Sequence, residues 1–443
     1  MHTLEQLRRG ELAGIERLQL RCGLTEFPRE IFELADSLEI LDLSGNQLSA
    51  LPDDLPRLHK LRVIFCSDNP FTELPEVLGQ CQQLSMVGFK ANRIAHVSPK
   101  ALPPMLRWLI LTDNALTELP AEIGQCTQMQ KLALAGNHLR RLPPELAKCS
   151  RLELLRISAN ALTEFPSWLL NMPRLTWLAY AGNPFCEHLE SAAIANAPMQ
   201  HIAWSQLQLQ HQLGEGASGV IHQATLRTRE GEQAVAVKLF KGAVTSDGLP
   251  DCEMAACMHA GAHPHLVSAM ARVVEHPDDK QALVMPLIPP EFGNLADPPS
   301  LESCTRDVYP THPRFGWPAT LRMAIGMASV TQHLHARGIL HGDLYAHNIL
   351  HTSEGNALLS DFGAAAFFDA DDAALAQGLE KLEVRALGCL LEELTMQCDA
   401  ASAHSQTRQL QALAQLAQRC LHDTPSQRPS LAQVCAELEA LSH

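Results

Sequence analysis

A motif that recurs every 22 or 23 residues constrains the fold of this chain more than any other feature of its sequence. Seven asparagines mark it: Asn46, Asn69, Asn92, Asn114, Asn137, Asn160 and Asn183. Around them the frame reads LEILDLSGNQLSALP from Leu38 and LRWLILTDNALTELP from Leu106, with leucines at fixed spacing. One such unit cannot bury its own apolar face, so successive units must stack into a solenoid.

The frame resembles that of the leucine-rich repeat family, L-x-x-L-x-L-x-x-N-x-L. The resemblance implies an α/β solenoid in which each unit contributes one short strand. Within a unit we expect the leucines to point inward and the Asn side chain to bond backbone groups at the bend. An imperfect first unit lies at Ile15 to Pro28. We predict a repeat array over residues 1–186 and a cap or linker over 187–206.

The strand positions between the inward leucines predict an apolar concave face. They are Val63, Phe65, Met86, Trp108, Ile110, Leu154 and Trp177. A contiguous apolar and aromatic surface favours an interaction site, so we expect a protein substrate or regulator to bind there. The alternative is that these side chains pack on their lateral neighbours.

Cysteines recur within the array. Cys81, Cys126 and Cys149 each lie three residues before the start of a repeat, without a CxxC or Cys/His pair nearby. This favours a small buried slot over a metal site.

Charge and cysteine content narrow the partners and the compartment. With 34 basic and 49 acidic residues the net charge is −15, which disfavours nucleic acid and anionic membranes as partners. No apolar run is long enough to span a bilayer, and the first residues, MHTLEQLRRGELAG, lack the apolar core of a signal peptide. The odd number of cysteines, thirteen, fits free thiols in a reducing compartment. We therefore expect a cytoplasmic protein without membrane or nucleic-acid partners.

The second half carries a glycine-rich loop followed by a lysine and a glutamate. The loop, GEGASG, has Gly214, Gly216 and Gly219 between two strand-like stretches, which would let backbone lie close over phosphates. VAVK follows and ends at Lys238, a positive charge suited to the α- and β-phosphates. Glu253 then precedes His263-Pro264 by about one helix. The stretch ALVMPLIP, from Ala282, reads as a strand that leads into a hinge.

Three further motifs follow in order. After a helix over about 319–337, HGDLYAHN spans residues 341–348, DFG spans 361–363, and QRPS contains Arg428. The ordered set resembles a eukaryotic-type protein kinase over 207–443. The fold class is therefore predicted as an α/β leucine-rich repeat solenoid followed by a two-lobed α+β protein-kinase-like domain.

The resemblance implies roles for individual residues and two cofactors, ATP and Mg²⁺. Asp343 would be the catalytic base for the acceptor hydroxyl, with Lys238 and Glu253 paired beside the phosphates. The metal ligands would be Asn348 and Asp361. The remaining nucleotide contacts would come from Gly214, Gly216, Gly219, from Met285 at the gatekeeper position, and from Leu287 in the hinge.

The chain also departs from the kinase pattern. Gly342 replaces the arginine that reads a phosphorylated activation segment, and residues 361–383 contain no Ser, Thr or Tyr. This excludes control by phosphorylation of that segment. The segment is short and lacks the A-P-E motif, and Glu380 is the candidate partner of Arg428. Glu383 and Arg385 stand where the next helix usually has Asp and Trp, which puts the peptide-docking floor in doubt.

Tyr345 and His347 occupy the two positions where kinases place a phosphate-binding Lys or Arg. Losing one such charge-assisted contact costs roughly 1.5–3 kcal/mol, which slows transfer without abolishing it. His347 reads as a surface residue. The leading hypothesis is an ATP-dependent Ser/Thr protein kinase whose repeats recruit a substrate or regulator. The alternatives are a pseudokinase scaffold and a small-molecule phosphotransferase. Residues 289–317, rich in proline, are predicted to be a long irregular connection.

Overall fold

The computed structural model describes residues 2–196, 200–216, 218–242, 248–311, 315–399 and 406–442. They form two compact units that divide between Leu169 and Leu170. Each unit has its own buried core. The domain limits drawn from the sequence, with the array ending at residue 186, remain a prediction.

The first unit is a stack of short parallel strands, one for each repeat. The strands are β1 (Arg17–Gln19), β2 (Ile40–Asp42), β3 (Val63–Phe65), β4 (Met86–Gly88), β5 (Trp108–Ile110), β6 (Lys131–Ala133) and β7 (Leu154–Arg156). One short helix, α1 (Leu4–Arg8), precedes them. Neighbouring strands pair in register, so that Leu109 lies opposite Leu132 and Leu132 opposite Leu155. These leucines are fully buried, which confirms the prediction that the leucines of each repeat point inward.

The frame asparagines tie each repeat to the next through backbone hydrogen bonds, as predicted. Asn137 is 3% exposed, and its Oδ1 accepts from the backbone N–H of Leu116 at 3.0 Å. Its Nδ2 donates to the carbonyls of Leu111 and Leu134, both at 2.9 Å. Each amide thereby satisfies backbone groups that stacking removes from water, which an apolar side chain of similar size could not do.

The strand positions predicted to form an exposed apolar face are more buried than expected. Val63, Met86 and Leu154 are each 3% exposed, so the alternative of lateral packing applies to them. The ring of Phe65 lies over the bare Cα of Gly88, because a Cβ built there would meet Phe65 Cδ1 at 2.5 Å. Phe65, Trp108 and Ile110 stay half-buried. The prediction that Trp177 belongs to the exposed face is wrong, because this residue is only 2% exposed.

Cys81, Cys126 and Cys149 are buried as predicted. In the described part of the chain no group of three or more His, Cys, Asp or Glu residues could hold a metal ion. All thirteen cysteines of the chain lie within the described ranges as free thiols. Burial raises the pKa of the Cys81 and Cys126 thiols to about 11 and that of Cys149 to about 12. Thiolate, the reactive form, is therefore scarce at these positions near neutral pH.

We expect iodoacetamide at pH 8 to alkylate exposed Cys22 long before Cys81, Cys126 or Cys149. Peptide mass spectrometry of the native protein over time measures this, with protein in 6 M guanidinium as the control for intrinsic labelling. Labelling of Cys149 as fast as Cys22 in the native protein would contradict the buried slot.

The second unit has two lobes. Its strands are β8 (Trp177–Ala179), β9 (His201–Ala203), β10 (Leu207–Glu215), β11 (Gly219–Thr228), β12 (Gly231–Phe240), β13 (Ala271–Val274), β14 (Ala282–Pro286), β15 (Gly293–Asn294), β16 (Ile339–Leu340), β17 (Ile349–His351), β18 (Ala357–Leu359) and β19 (Ala366–Phe367). Its helices are α2 (Glu187–Asn196), α3 (Pro250–Ala260), α4 (Trp317–His335), α5 (Ala373–Gln397), α6 (Thr407–Cys420) and α7 (Leu431–Ala440).

The smaller lobe is a six-stranded sheet in the order β10-β11-β12-β14-β13-β9, with α3 beside it. Its core consists of the alternate inward residues of these strands, among them Val235, Val237 and Val284. β9 pairs with β13 in parallel, so part of the predicted linker belongs to this sheet. Alternation of apolar and polar residues at period two gives the strands one buried face.

The larger lobe is mainly helical. α4 and α5 supply its longest buried faces, and short strand pairs (β16 with β19, β17 with β18) hold the loops between them. The solenoid of the first unit and these two lobes confirm the predicted fold class. None of the helices in the described ranges combines the length and apolar character that crossing a bilayer requires.

Candidate active site

Lys238, Glu253 and Asp361 meet between the two lobes of the second unit. Lys238 lies on β12, Glu253 on α3, and Asp361 at the start of DFG. The Lys238 ammonium donates to Glu253 Oε1 and lies 3.3 Å from Asp361 Oδ1. The side chains of Lys238 and Glu253 are 8% and 3% exposed, whereas that of Asp361 is 43% exposed. The pair is thus buried, and one carboxylate beside it faces solvent.

The charges of this cluster support one another. Burial acts to lower the pKa of Lys238, but Asp361 and Glu253 outweigh it and raise that pKa above its ordinary value. Desolvation by the surrounding protein acts to raise the pKa of Asp361, but the Lys238 ammonium and the Gly363 N–H together outweigh it and lower that pKa. Both groups are therefore ionised near neutral pH, since each stabilises the charged form of the other.

The HGDLYAHN loop brings Asp343 and Asn348 together. Asn348 Nδ2 donates to Asp343 Oδ2 at 2.8 Å and to its backbone carbonyl at 3.0 Å. His341 links this loop to the strand before DFG, because its Nδ1 accepts from Asp343 N–H at 3.3 Å while its Nε2 donates to the carbonyl of Ser360 at 3.1 Å. One neutral tautomer of the imidazole makes both bonds.

The glycine-rich loop and hinge complete the set of predicted site residues. A Cβ on Gly214 or Gly216 would meet nothing within 4 Å, while one on Gly219 would lie 2.6 Å from the carbonyl of Leu239. Gly216 N–H donates to the Gly219 carbonyl at 2.9 Å, which closes the turn. Ala217, between them, lies outside the described residues.

The two predicted hinge residues are both half-buried. Met285 lies on β14 opposite Ala236 of β12. Leu287 follows the end of the same strand.

These donors fit a metal-bound nucleotide. The carboxylate and amide oxygens of Asp361 and Asn348 are the oxygen ligands that Mg²⁺ prefers, and Lys238 adds a fixed positive charge beside them. Open space above Gly214 and Gly216 leaves room for phosphates to approach the backbone. Asp361 has a φ of +55°, a conformation that its short polar side chain tolerates and that loops at functional sites often contain.

The segment after DFG is shorter than the sequence analysis predicted. α5 begins at Ala373, ten residues before Glu383, with the Asp372 side chain accepting from Leu375 N–H at 3.1 Å as its cap. The stretch AALAQGLEKLE consists mainly of strong helix formers, which explains the early start. Glu383 then reaches the HGD loop, accepting from Gly342 N–H at 2.8 Å and bonding His335 at 2.7 Å.

The predicted pair between Glu380 and Arg428 is wrong. Glu380 accepts instead from Leu431 N–H at 2.6 Å. The Arg428 guanidinium, 2% exposed, donates to three backbone carbonyls: Lys381 at 2.9 Å, His422 at 2.8 Å and Pro173 at 2.7 Å. Burial, with help from nearby Arg385, lowers the pKa of Arg428 to about 10. Carbonyls satisfy its donors without a carboxylate, which spacing alone does not reveal.

His347 is not the surface residue that the sequence suggested. Its Nδ1 lies 2.7 Å from Asp307 Oδ1, and its backbone N–H donates to Asp307 Oδ2 at 3.0 Å. Asp307 is 1% exposed at its side chain and belongs to the 289–317 segment. That segment is anchored in turn by Arg306, which pairs with Glu392 and Glu393 of α5 at 2.9 and 2.8 Å. Sequence reasoning missed these residues, because no motif singles out the Arg-Asp doublet.

Gly342 leaves no space for a side chain. Its φ is +71°, and a Cβ there would lie 2.4 Å from the carbonyl oxygen of Leu178 and 2.8 Å from that of Ala364. An arginine at this position is therefore excluded by backbone on two sides as well as by conformation. Close packing of backbone around the HGDLYAHN loop therefore requires glycine at position 342.

We expect Gly342→Ala to destabilise the second unit by more than its backbone conformation alone explains. Left-handed backbone costs a non-glycine residue roughly 1–2 kcal/mol, and forced overpacking adds about 1–3 kcal/mol. Gly23→Ala is the control, because Gly23 also has a φ of +71° but a Cβ on it would meet nothing within 4 Å. Calorimetric unfolding of both variants measures the difference. Equal losses of stability in the two variants would show that the carbonyl groups of Leu178 and Ala364 move aside without cost.

Comparison with known families follows the same division of the chain. The family model described as "Protein tyrosine and serine/threonine kinase" matches residues 207–402, and the one described as "Leucine Rich Repeat" matches residues 37–58. The chain therefore contains a leucine-rich repeat and a protein kinase domain. The motifs from Gly214 to Gly363 and the cluster around Lys238 lie within the matched region, whereas Arg428 lies beyond it.

Two curated relatives carry protein kinase names. The chain is 26% identical over 197 residues to CBL-interacting protein kinase 22 of Oryza sativa subsp. japonica, covering 41% of each chain. It is 27% identical over 168 residues to the serine/threonine-protein kinase bur1 of Neurospora crassa, covering 36% of this chain and 28% of that protein.

A further relative is of a different kind. The chain is 31% identical over 87 residues to the human PH domain leucine-rich repeat-containing protein phosphatase 1, covering 19% of this chain and 5% of that protein. The chain therefore spans less than half the length of each of these three relatives.

Proposed function

We propose that this protein transfers the γ-phosphate of ATP to serine or threonine hydroxyls of proteins, with Mg²⁺ as the metal. The observation that carries the proposal is the simultaneous contact of Lys238 with Glu253 and Asp361, beside an Asp343 that is hydrogen-bonded to Asn348. Kinase folds that have lost activity commonly lack one of these side chains. Here Lys238, Asp343, Asn348 and Asp361 are all present. The name of the Neurospora crassa relative, a serine/threonine-protein kinase, supports the choice of acceptor.

Each side chain has a chemical task in this proposal. ATP with Mg²⁺ supplies the transferable phosphoryl group and the charge that screens it. Asp343 accepts the proton of the acceptor hydroxyl, and Asn348 holds the carboxylate in place through Oδ2. The Lys238 ammonium, held by Glu253, offers a fixed positive charge to the phosphates. Asp361 and Asn348 would hold the metal.

Transfer of label from [γ-³²P]ATP tests the proposal against its alternatives. Purified full chain is incubated with a panel of folded proteins and peptides, then subjected to phosphoamino-acid analysis. We expect label on serine or threonine. Label only on small hydroxyl compounds would identify a small-molecule phosphotransferase, and no label on any acceptor despite nucleotide binding would identify a scaffold. Label on tyrosine alone would contradict the acceptor that we propose.

We propose further that the half-buried Phe65, Trp108 and Ile110 of the first unit contact the protein acceptor. Lys131 Nζ lies 4.3 Å from the Trp108 ring centroid, so the surface there joins an aromatic face to a cation. Trp108→Ala should slow phosphorylation of intact acceptor proteins and leave short peptides unaffected. If Trp108→Ala changes the rate by the same factor for intact proteins and for short peptides, the proposed contact with the acceptor is wrong.

A further inference from the structure

The end of the repeat array packs directly on the catalytic loop. The terminal repeat, residues 170–186, falls in the second unit together with the kinase domain. Trp177, on β8, donates from its indole N–H to the carbonyl of Leu344 at 3.1 Å. Its ring also stacks on Tyr345, with centroids 4.0 Å apart and planes 11° from parallel. Leu344 and Tyr345 immediately follow Asp343, so this contact bears on the backbone that carries the catalytic carboxylate.

The terminal repeat also lies against the two sides of that loop. The carbonyl of Leu178 fills the space beside Gly342, the residue before Asp343. Tyr180 donates from its hydroxyl to the carbonyl of Phe367 at 3.2 Å, in the strand that follows DFG. In a kinase with an arginine before the catalytic Asp, a phosphorylated activation segment would order this region. Here residues 361–383 contain no hydroxyl side chain, and the position of the arginine is closed by backbone.

Two buried arginines depend on the same repeat. Arg385 of α5 donates to Thr176 Oγ1 at 3.1 Å and to the carbonyl of Arg174 at 3.3 Å. Arg428 donates to the carbonyl of Pro173 at 2.7 Å. Arg385 and Arg428 are 8% and 2% exposed, and carbonyl or hydroxyl oxygens of the repeat accept part of their hydrogen bonds. The contact is therefore a built part of the larger lobe.

The helix after the terminal repeat reaches the smaller lobe. α2 packs on α3, the helix that carries Glu253, and His259 Nε2 donates to the carbonyl of Ala193 at 2.6 Å. Nine of the eleven residues of α3 are buried. A helix that is apolar nearly all round needs cover on more than one face. α2 supplies that cover on the side of Ala193.

We propose that the terminal repeat and α2 hold the catalytic loop and α3 in their catalytic positions in place of a phosphorylated activation segment, with Trp177 as a positioning residue for Asp343. This rests on the proposed kinase activity. The positioning is permanent, because both parts belong to one chain. The repeat array would thus have a catalytic consequence that is separate from any recruitment of partners.

The test uses the full chain with Trp177→Ala, Trp177→Phe and the control Trp204→Ala. Trp204 is a half-buried tryptophan of the second unit whose ring packs on that of His276, with centroids 4.3 Å apart, away from the catalytic loop. kcat and KM for ATP are measured per folded molecule, with the folded fraction taken from circular dichroism. Hydrogen–deuterium exchange of the peptide covering residues 341–350 provides a readout that does not need activity.

For Trp177→Ala we expect kcat to fall on the order of 10²-fold, with KM for ATP nearly unchanged, because displacing a catalytic group by about 1 Å has effects of this size. Trp177→Phe, which keeps a ring but lacks the indole donor, should show a smaller fall in the same direction. Exchange at residues 341–350 should rise in both variants and stay unchanged in Trp204→Ala.

Two results would overturn the inference: unchanged exchange in Trp177→Ala, or a kcat per folded molecule that falls equally in Trp204→Ala. If the unmodified protein transfers no phosphate, the proposed function fails by itself. The exchange experiment then still decides whether Trp177 orders the loop.

Discussion

Asp343→Asn will lower the rate of phosphoryl transfer by about 10²- to 10⁴-fold, the range that a positioned general base contributes. The substitution keeps the size of the side chain and an oxygen that can accept from Asn348 Nδ2, so the loop should keep its fold. Because Asp343 is not a proposed phosphate or metal contact, binding of ATP with Mg²⁺ should persist. Single-turnover transfer and calorimetric binding measure the two effects separately.

Asp423→Asn is the control for this substitution. Asp423 has a side chain 65% exposed and pairs loosely with Arg174 at 3.7 Å. Its replacement should change neither rate nor binding. Transfer by Asp343→Asn at the rate of the unmodified protein would mean that another group takes the proton, or that the labelled product arises from a contaminant.

Lys238→Met will weaken nucleotide binding and destabilise the second unit by about 3–5 kcal/mol, the usual consequence of removing one partner of a buried ion pair. The substitution leaves Glu253, 3% exposed, without its ammonium partner and removes the charge beside Asp361. Urea unfolding of the second unit and titration with ATP and Mg²⁺ measure the two consequences.

An exposed lysine–glutamate ion pair in the same lobe is the control for this loss of stability. Lys241 bonds Glu215 at 2.6 Å, but the two side chains are 40% and 52% exposed, so Lys241→Met should cost no more than about 1 kcal/mol. The double variant Lys238→Met with Glu253→Leu should be less destabilised than the sum of the single variants, because neither charge is then left alone. Additive losses would show that the two groups do not act as a pair.

The repeats could be predicted from the sequence because their information is periodic. Each inward leucine and each frame asparagine recurs at fixed spacing, and the structural role of one unit applies to the next. Asn137 illustrates this, since its three backbone bonds follow from its position in the frame alone. The kinase motifs were predictable for another reason: their order along the chain limits which fold can bring Lys238, Glu253 and Asp361 together.

The contacts that the sequence did not reveal are long-range and carry no local pattern. Trp177 occupies the same frame position as other strand residues, and nothing nearby indicates that it lies on Tyr345, 168 residues further along the chain. Asp307 likewise has no feature that points to His347. Arg428 was assigned a carboxylate partner by analogy, whereas backbone carbonyls satisfy it. Such pairings depend on how whole elements pack.

Glu383 is an intermediate case, in which the sequence indicated the position but not the contact. Its position on α5 was recognised as one where the kinase pattern has an acidic residue, yet the sequence did not show what the carboxylate would bond. The structure places Glu383 against Gly342 N–H, and His335 helps to lower the pKa of this buried carboxyl although burial acts to raise it. A longer acidic side chain thus anchors the catalytic loop from α5, and Gly342 makes the close approach possible.

Isothermal titration of the full chain with ATP, in the presence and absence of Mg²⁺, tests most directly whether these groups form one nucleotide site. The account predicts saturable binding of one ATP per chain that depends on Mg²⁺ and is lost in Asp361→Ala. Absence of binding heat with Mg²⁺ present, or binding that is indifferent to both the metal and Asp361, would contradict it.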